Sequence, residues 1–170
     1  MRRLRDPLFR LAYRVGYRLL RLWWLVASPS KEGVKCVLTR EREVLLVRHT
    51  YGRTDRWELP GGGVKRRETP EAAATRETRE ELGLDVEGWA ALGDLFDRSD
   101  RKRDHLWCFS AGVDGQAVEI DRAEIAEARW FARDALPEPR ARYVERIVGL
   151  SARRPGSTSA PPPRSPRARG

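Results

Sequence analysis

The stretch from Gly62 to Leu84 limits this chain more than any other: a glycine loop runs into a segment whose two helix ends are both signalled. Thr69 stands as the N-cap, Pro70 at the first helical position and Glu71 in the first turn. An Ala72-Ala73-Ala74 run follows, and Gly83 sits where a helix stops. At about 100° per residue, Glu80 falls about 60° back from Glu77 and Glu81 about 40° beyond it, so three carboxylates fill one arc.

Like charges so placed repel. Arg76 can pair with Glu80 one turn on, while Arg79 points elsewhere, which leaves the face with excess negative charge. A hard, oxygen-seeking cation would offset it, and Mg²⁺ or Mn²⁺ suits carboxylates that also face substrate phosphates. Zn²⁺ sites recruit His or Cys, and the chain has two of each. A glutamate-rich helix taken alone is more often a solvated face, so the surrounding residues decide.

Those residues carry a family resemblance. Glycine, five residues, glutamate, seven residues, Arg-Glu, an apolar slot, one residue, Glu-Glu, one residue, glycine and an apolar residue is similar to the Nudix box. Gly62, Glu68, Arg76, Glu77, Glu80, Glu81, Gly83 and Leu84 fill it. Seven fixed positions match by chance roughly once in 10⁸ to 10⁹ starting points. One position departs: the first apolar slot holds Thr78, whose hydroxyl must find a partner, the carbonyl one turn back being the nearest.

The resemblance covers about residues 33 to 150 and implies a three-layer α/β/α sandwich with a mixed sheet. It implies hydrolysis of the pyrophosphate bond of a nucleoside diphosphate linked to another group, with Mg²⁺ or Mn²⁺. Such cations neutralise phosphate charge and lower the pKa of the attacking water, while a nearby carboxylate takes its proton. By the same resemblance Glu80 and Glu81 are the main metal ligands, Glu77 a ligand or the general base, and the Gly62 carbonyl a further ligand. Arg76 and Glu68 orient the cluster. Some members place the base on a later loop, where Glu124 is the first candidate and Glu127 the second.

No motif fixes the substrate. Recognition is expected around Tyr51, Arg53, Arg56, Trp57 and the segment from Asp97 to His105, with Arg53 and Arg56 as phosphate ligands. Trp57 as core and the two arginines as ordinary surface charge are the competing readings. A non-catalytic module that binds a nucleotide ligand and regulates a partner is the alternative function. The intact set of Arg76, Glu77, Glu80 and Glu81 favours the enzyme.

The chain of 170 residues allows one catalytic domain with extensions. Its formal charge of +9 lies in its ends. Residues 1–30 hold seven Arg against Asp6, and residues 151–170 hold five Arg and no acid. The part between holds 22 basic and 24 acidic residues, so a specific nucleic-acid-binding domain is not implied. Cys36 and Cys108 lie far apart in apolar runs with no CxxC spacing, which fits a reducing cytoplasm.

Three segments follow: residues 1–30, a basic amphipathic helix; 31–150, the catalytic domain; and 151–170, a Pro, Arg and Ser-rich tail too poor in apolar residues to order itself. The helix places Leu4, Leu8, Leu11, Val15, Leu19, Leu22, Trp23 and Val26 at helical spacing, with Arg10, Arg14 and Arg21 opposite. Arginine interrupts it too often for a membrane span. Docking on an anionic membrane surface, packing on the domain, and pairing with a second copy as a homodimer all stay open. Strands are expected at Val34–Leu38, Val44–His49, Gly88–Phe96, Asp104–Val113, Ala117–Ile120 and Glu127–Phe131, and a closing helix at Glu138–Leu150.

Overall fold

A computed structural model describes residues 32–97 and 104–153. Strands β1 (Glu32–Arg40) and β2 (Glu43–His49) lead through the glycine loop to helix α1 (Pro70–Leu82). Strands β3 (Ala90–Asp97), β4 (Asp104–Gly112) and β5 (Ile125–Ala132) follow, and helix α2 (Arg142–Ala152) closes the fold. The strands form one sheet in the order β3-β4-β1-β2-β5. β1 and β4 run parallel with Val34 opposite Trp107, and the other neighbours are antiparallel, so the sheet is mixed.

Period-two alternation explains the three layers. Val34, Cys36, Leu38, Leu45 and Val47 point to one face, where Ala73, Ala74 and Leu82 of α1 cover them. Val37, Val44 and Leu46 point to the other, where Val144, Ile147 and Val148 of α2 cover them. Each large side chain so buried contributes about 1.5–3 kcal/mol. Both cysteines are free and buried.

Two expectations need correction. Ala117–Ile120 is not a strand, because the open end of α1 engages it: the Glu119 amide donates to the Leu82 carbonyl at 2.8 Å and the Asp121 amide to the Glu81 carbonyl at 2.9 Å. The closing helix begins at Arg142 rather than Glu138, because the backbone before it is already bonded. The Trp57 amide donates to the Pro139 carbonyl at 2.8 Å, and the Ala141 amide to the Trp57 carbonyl at 2.9 Å. α2 also runs on to Ala152, two residues into the stretch assigned to the tail.

The amphipathic helix of residues 1–30, the remainder of the tail and most of the charged loop after Asp97 lie outside the described residues. Among the described residues no helix is long and apolar enough to cross a membrane.

Candidate active site

Helix α1 forms as its caps dictate. The Thr69 hydroxyl accepts from the Ala72 amide at 3.2 Å. Gly83 takes the left-handed conformation at φ 68° and ends the helix. Thr78 is fully buried, and its hydroxyl donates to the Ala74 carbonyl at 2.9 Å, so the one departure from the box is satisfied within the helix. Arg79 turns outward to Asp85 at 2.6 Å. The remaining face presents Glu77, Glu80 and Glu81.

Opposite it runs the glycine loop, tied to β1: the Val34 amide donates to the Gly62 carbonyl at 2.8 Å and the Cys36 amide to the Pro60 carbonyl at 2.9 Å. The helix and loop approach so closely that a Cβ on Gly62 would lie 2.6 Å from the Glu77 carboxyl carbon. Gly61 sits at φ 130°, and a Cβ there would meet the Val34 carbonyl oxygen at 2.3 Å. Gly61 admits no side chain, and one at Gly62 would have to displace the Glu77 carboxylate.

Arg76 organises the charges. Its Nε and Nη2 donate to Glu68 at 2.7 and 2.9 Å, and Nη2 also to the Gly63 carbonyl at 2.9 Å. Its Nη1 stands between Glu77 at 2.5 Å and Glu80 at 3.2 Å. Glu81 is 1 % exposed and accepts from the Gly61 amide at 3.0 Å. Burial first, and then the charge of Glu77, push its carboxyl up to about 8 against the effect of that amide. Glu124, in the turn before β5, is 6 % exposed rather than solvated, and its charge also acts on Glu81.

Among the described residues no three acidic, His or Cys side chains converge on one ligating point. The donor set nevertheless suits a hard cation: two carboxylates already close on one cationic group, with a third buried beside them. Gly62 offers a carbonyl at the same place, its first acceptor site used by Val34.

Beyond Gly61 opens a cleft of about 260 Å³ lined by Lys35, His49, Tyr51, Arg53, Arg56 and Glu58. Arg53 and Arg56 thus lie on its wall. Trp57 does not: it is 4 % exposed, edge-on to Phe131 at 4.8 Å between ring centroids and covered by the Arg48 guanidinium. This corrects its assignment to substrate binding, since an indole that fills the core beneath α2 has no face left for a ligand.

Lys35, His49 and Glu58 are cleft residues that the sequence motifs do not reveal. Glu58 holds the wall together, accepting from Arg56 at 2.6 Å and from the Tyr143 hydroxyl of α2 at 2.8 Å, with the Lys35 ammonium 3.6 Å away. Burial opposes its charge, yet Lys35, Arg56 and Tyr143 hold its carboxyl down to about 2. The one available signal was a charged Lys35 inside the apolar run Val34–Leu38.

A mixed sheet between two helices, with a glycine loop facing a carboxylate-bearing helix, places the chain in the class of three-layer α/β/α sandwiches. The NUDIX domain family model matches residues 29–148, and the chain belongs to the Nudix family. It is 33 % identical over 129 residues to the RNA pyrophosphohydrolase of Rhodospirillum rubrum, covering 64 % of this chain and 76 % of that protein. It is 34 % identical over 133 residues to the diphosphoinositol polyphosphate phosphohydrolase 3-alpha of Mus musculus, covering 73 % and 80 %. The MutT NUDIX hydrolase of Burkholderia pseudomallei superposes with a TM-score of 0.65 at 24 % identity, over 70 % of this chain and 95 % of that one. The chain is accordingly a Nudix hydrolase.

Proposed function

We propose that the chain hydrolyses the pyrophosphate bond of a nucleoside diphosphate linked to another group, with Mg²⁺ or Mn²⁺ bound at the carboxylate face. The observation that carries this is the gathering of Glu77 and Glu80 on the Arg76 guanidinium beside the buried Glu81, all against a glycine loop. Glu77, Glu80 and Glu81, with the Gly62 carbonyl, would hold the metal. The metal, when bound, supplies charge neutralisation on the phosphates and a more acidic water.

The chain's own residues do the rest. Arg76, fixed by Glu68 and the Gly63 carbonyl, orients Glu77 and Glu80. Glu77 or the buried Glu124 accepts the proton of the attacking water. Arg53 and Arg56 bind substrate phosphate from the cleft wall. Relatives named as an RNA pyrophosphohydrolase and a diphosphoinositol polyphosphate phosphohydrolase support pyrophosphate cleavage as the shared reaction.

The test is release of phosphate or nucleoside monophosphate from a panel of nucleoside diphosphate derivatives and triphosphates, with Mg²⁺, with Mn²⁺ and with chelator. Turnover that requires metal and is lost in Glu80→Gln is the expected result. Turnover that survives chelation, or an unimpaired variant, overturns the assignment.

A further inference from the structure

β1 begins at Glu32, in register with His105 of β4, which is in turn in register with Phe96 of β3. Residues 1–31 therefore join the fold at this corner of the sheet. Cross-strand partners share a face, so Phe96 and His105 lie on the same side as Asp94 and Trp107, two residues along. That is the side α1 covers, because Val34, opposite Trp107, is buried in the α1 cluster and Trp107 packs against its border.

From that border a row of rings runs out to solvent. Trp107 and His105 stand 4.7 Å apart between centroids at 50°, and His105 and Phe96 stack at 4.7 Å and 16°. Nε2 of His105 lies 2.6 Å from Asp94 and Nδ1 lies 3.9 Å from Glu32, so two carboxylates fix the middle ring. Phe96, at the outer end, is 62 % exposed. An apolar surface with an acidic border of this kind marks a docking site.

Two stretches of the chain reach this corner. The loop of residues 98–103 reads Arg-Ser-Asp-Arg-Lys-Arg and has no apolar side chain to lay on a phenyl ring. Residues 1–30 carry both requirements, a stripe of Leu and Trp for the rings and seven Arg against Asp6 for the acidic border. The connection also reaches. Pro29 closes the helical spacing, and the six residues from Val26 to Glu32 span at most about 20 Å. Phe96 lies two strands over from Glu32, about 10 Å away.

We propose that residues 1–30 dock on their own domain, as a helix beside α1 whose Leu and Trp stripe covers Phe96, His105 and Trp107 and whose arginines face Asp94 and Glu32. The docking stands independently of the chemistry at the carboxylate face.

Hydrogen–deuterium exchange on the full chain tests it, comparing wild type with Phe96→Ser. Phe96 is exposed, so the substitution leaves the core intact, and unchanged exchange in β1 and β2 verifies this. Residues 4–27 are expected to exchange about tenfold or more faster in the variant than in wild type. Exchange of residues 4–27 that is the same in both proteins overturns the proposal. Sedimentation and dilution separate the other occupants. A monomer that keeps its protection on dilution supports docking within one chain. Protection that needs a dimer gives the surface to the segment of a second copy, and protection that appears only with phosphatidylserine vesicles gives the segment to a membrane; either result overturns it.

Discussion

Arg76 meets four partners with one planar group: Glu68, the Gly63 carbonyl, Glu77 and Glu80. Lysine offers the charge without the fork, so Arg76→Lys should lose activity almost as fully as Arg76→Ala. Because the side chain is 18 % exposed, breaking these pairs costs less than a deeply buried pair, about 2 kcal/mol in urea unfolding for Arg76→Ala. Gly62→Ala isolates geometry from charge. Its methyl must displace the Glu77 carboxylate, so activity is expected to fall more than about tenfold, with the charge set of the helix unchanged. Assayed turnover at wild-type level would show that the close approach is not needed. At this scale the sequence was informative where partners lie within a helical turn, as with Thr78 and Ala74 or Arg76 and Glu80. It marked Lys35 only by a charge inside an apolar run and was silent on His49 and Glu58, because the three come together from separate segments with no spacing rule to join them. Trp57 was ambiguous because an aromatic next to a glycine loop serves a core and a ligand equally well.

Helix α1 was legible end to end because caps are local chemistry. Thr69→Ala removes the one side-chain acceptor at its N-terminus and should cost about 1 kcal/mol in urea unfolding. Helix α2 was misread at its start because its onset is set by a distant segment, the Trp57 backbone, and Ala141 makes no side-chain cap bond. The supposed strand at Ala117–Ile120 failed for a related reason: a short extended run takes its partners wherever free carbonyls exist, here at the end of α1. Glu58 ties these elements together, since it joins the loop before α1, Lys35 of β1 and Tyr143 of α2. Its carboxyl is held down to about 2 in the fold, below its unfolded value, so the stability it contributes is complete above about pH 4.5. That contribution is lost as pH falls from about 4.5 to 2, and it amounts to about 2–3 kcal/mol. Thermal unfolding between pH 2 and 7 should show wild type more stable than Glu58→Gln at pH 6 and the gap closing as pH falls. A gap that stays constant across that range would assign the effect to packing.

Charge separates by region across the whole molecule, with basic ends flanking a middle of 22 basic and 24 acidic residues. Within the middle it separates again, into a cationic cleft and a carboxylate face on either side of Gly61. The sandwich itself was legible, since alternating strands around a capped helix leave few other ways to cover both sheet faces. Strand order was not, because β1 pairs with β4 across the full length of α1 and β3. The carboxylate face confines repulsion that the folded chain must bear: Glu81 is buried with Glu77 and Glu124 acting on it, while Arg76 lies against Glu77 and Glu80 and Lys65 stands 3.9 Å from Glu80. A bound divalent ion would relieve that repulsion in the folded state alone, so its binding should stabilise the entire molecule. At a free Mn²⁺ concentration of 100 times the dissociation constant, the gain is about 2.7 kcal/mol. Thermal unfolding should therefore shift upward with Mn²⁺ or Mg²⁺ and return with chelator. Glu80→Gln should flatten the response. An equal metal response in wild type and Glu80→Gln would place the cation away from this face.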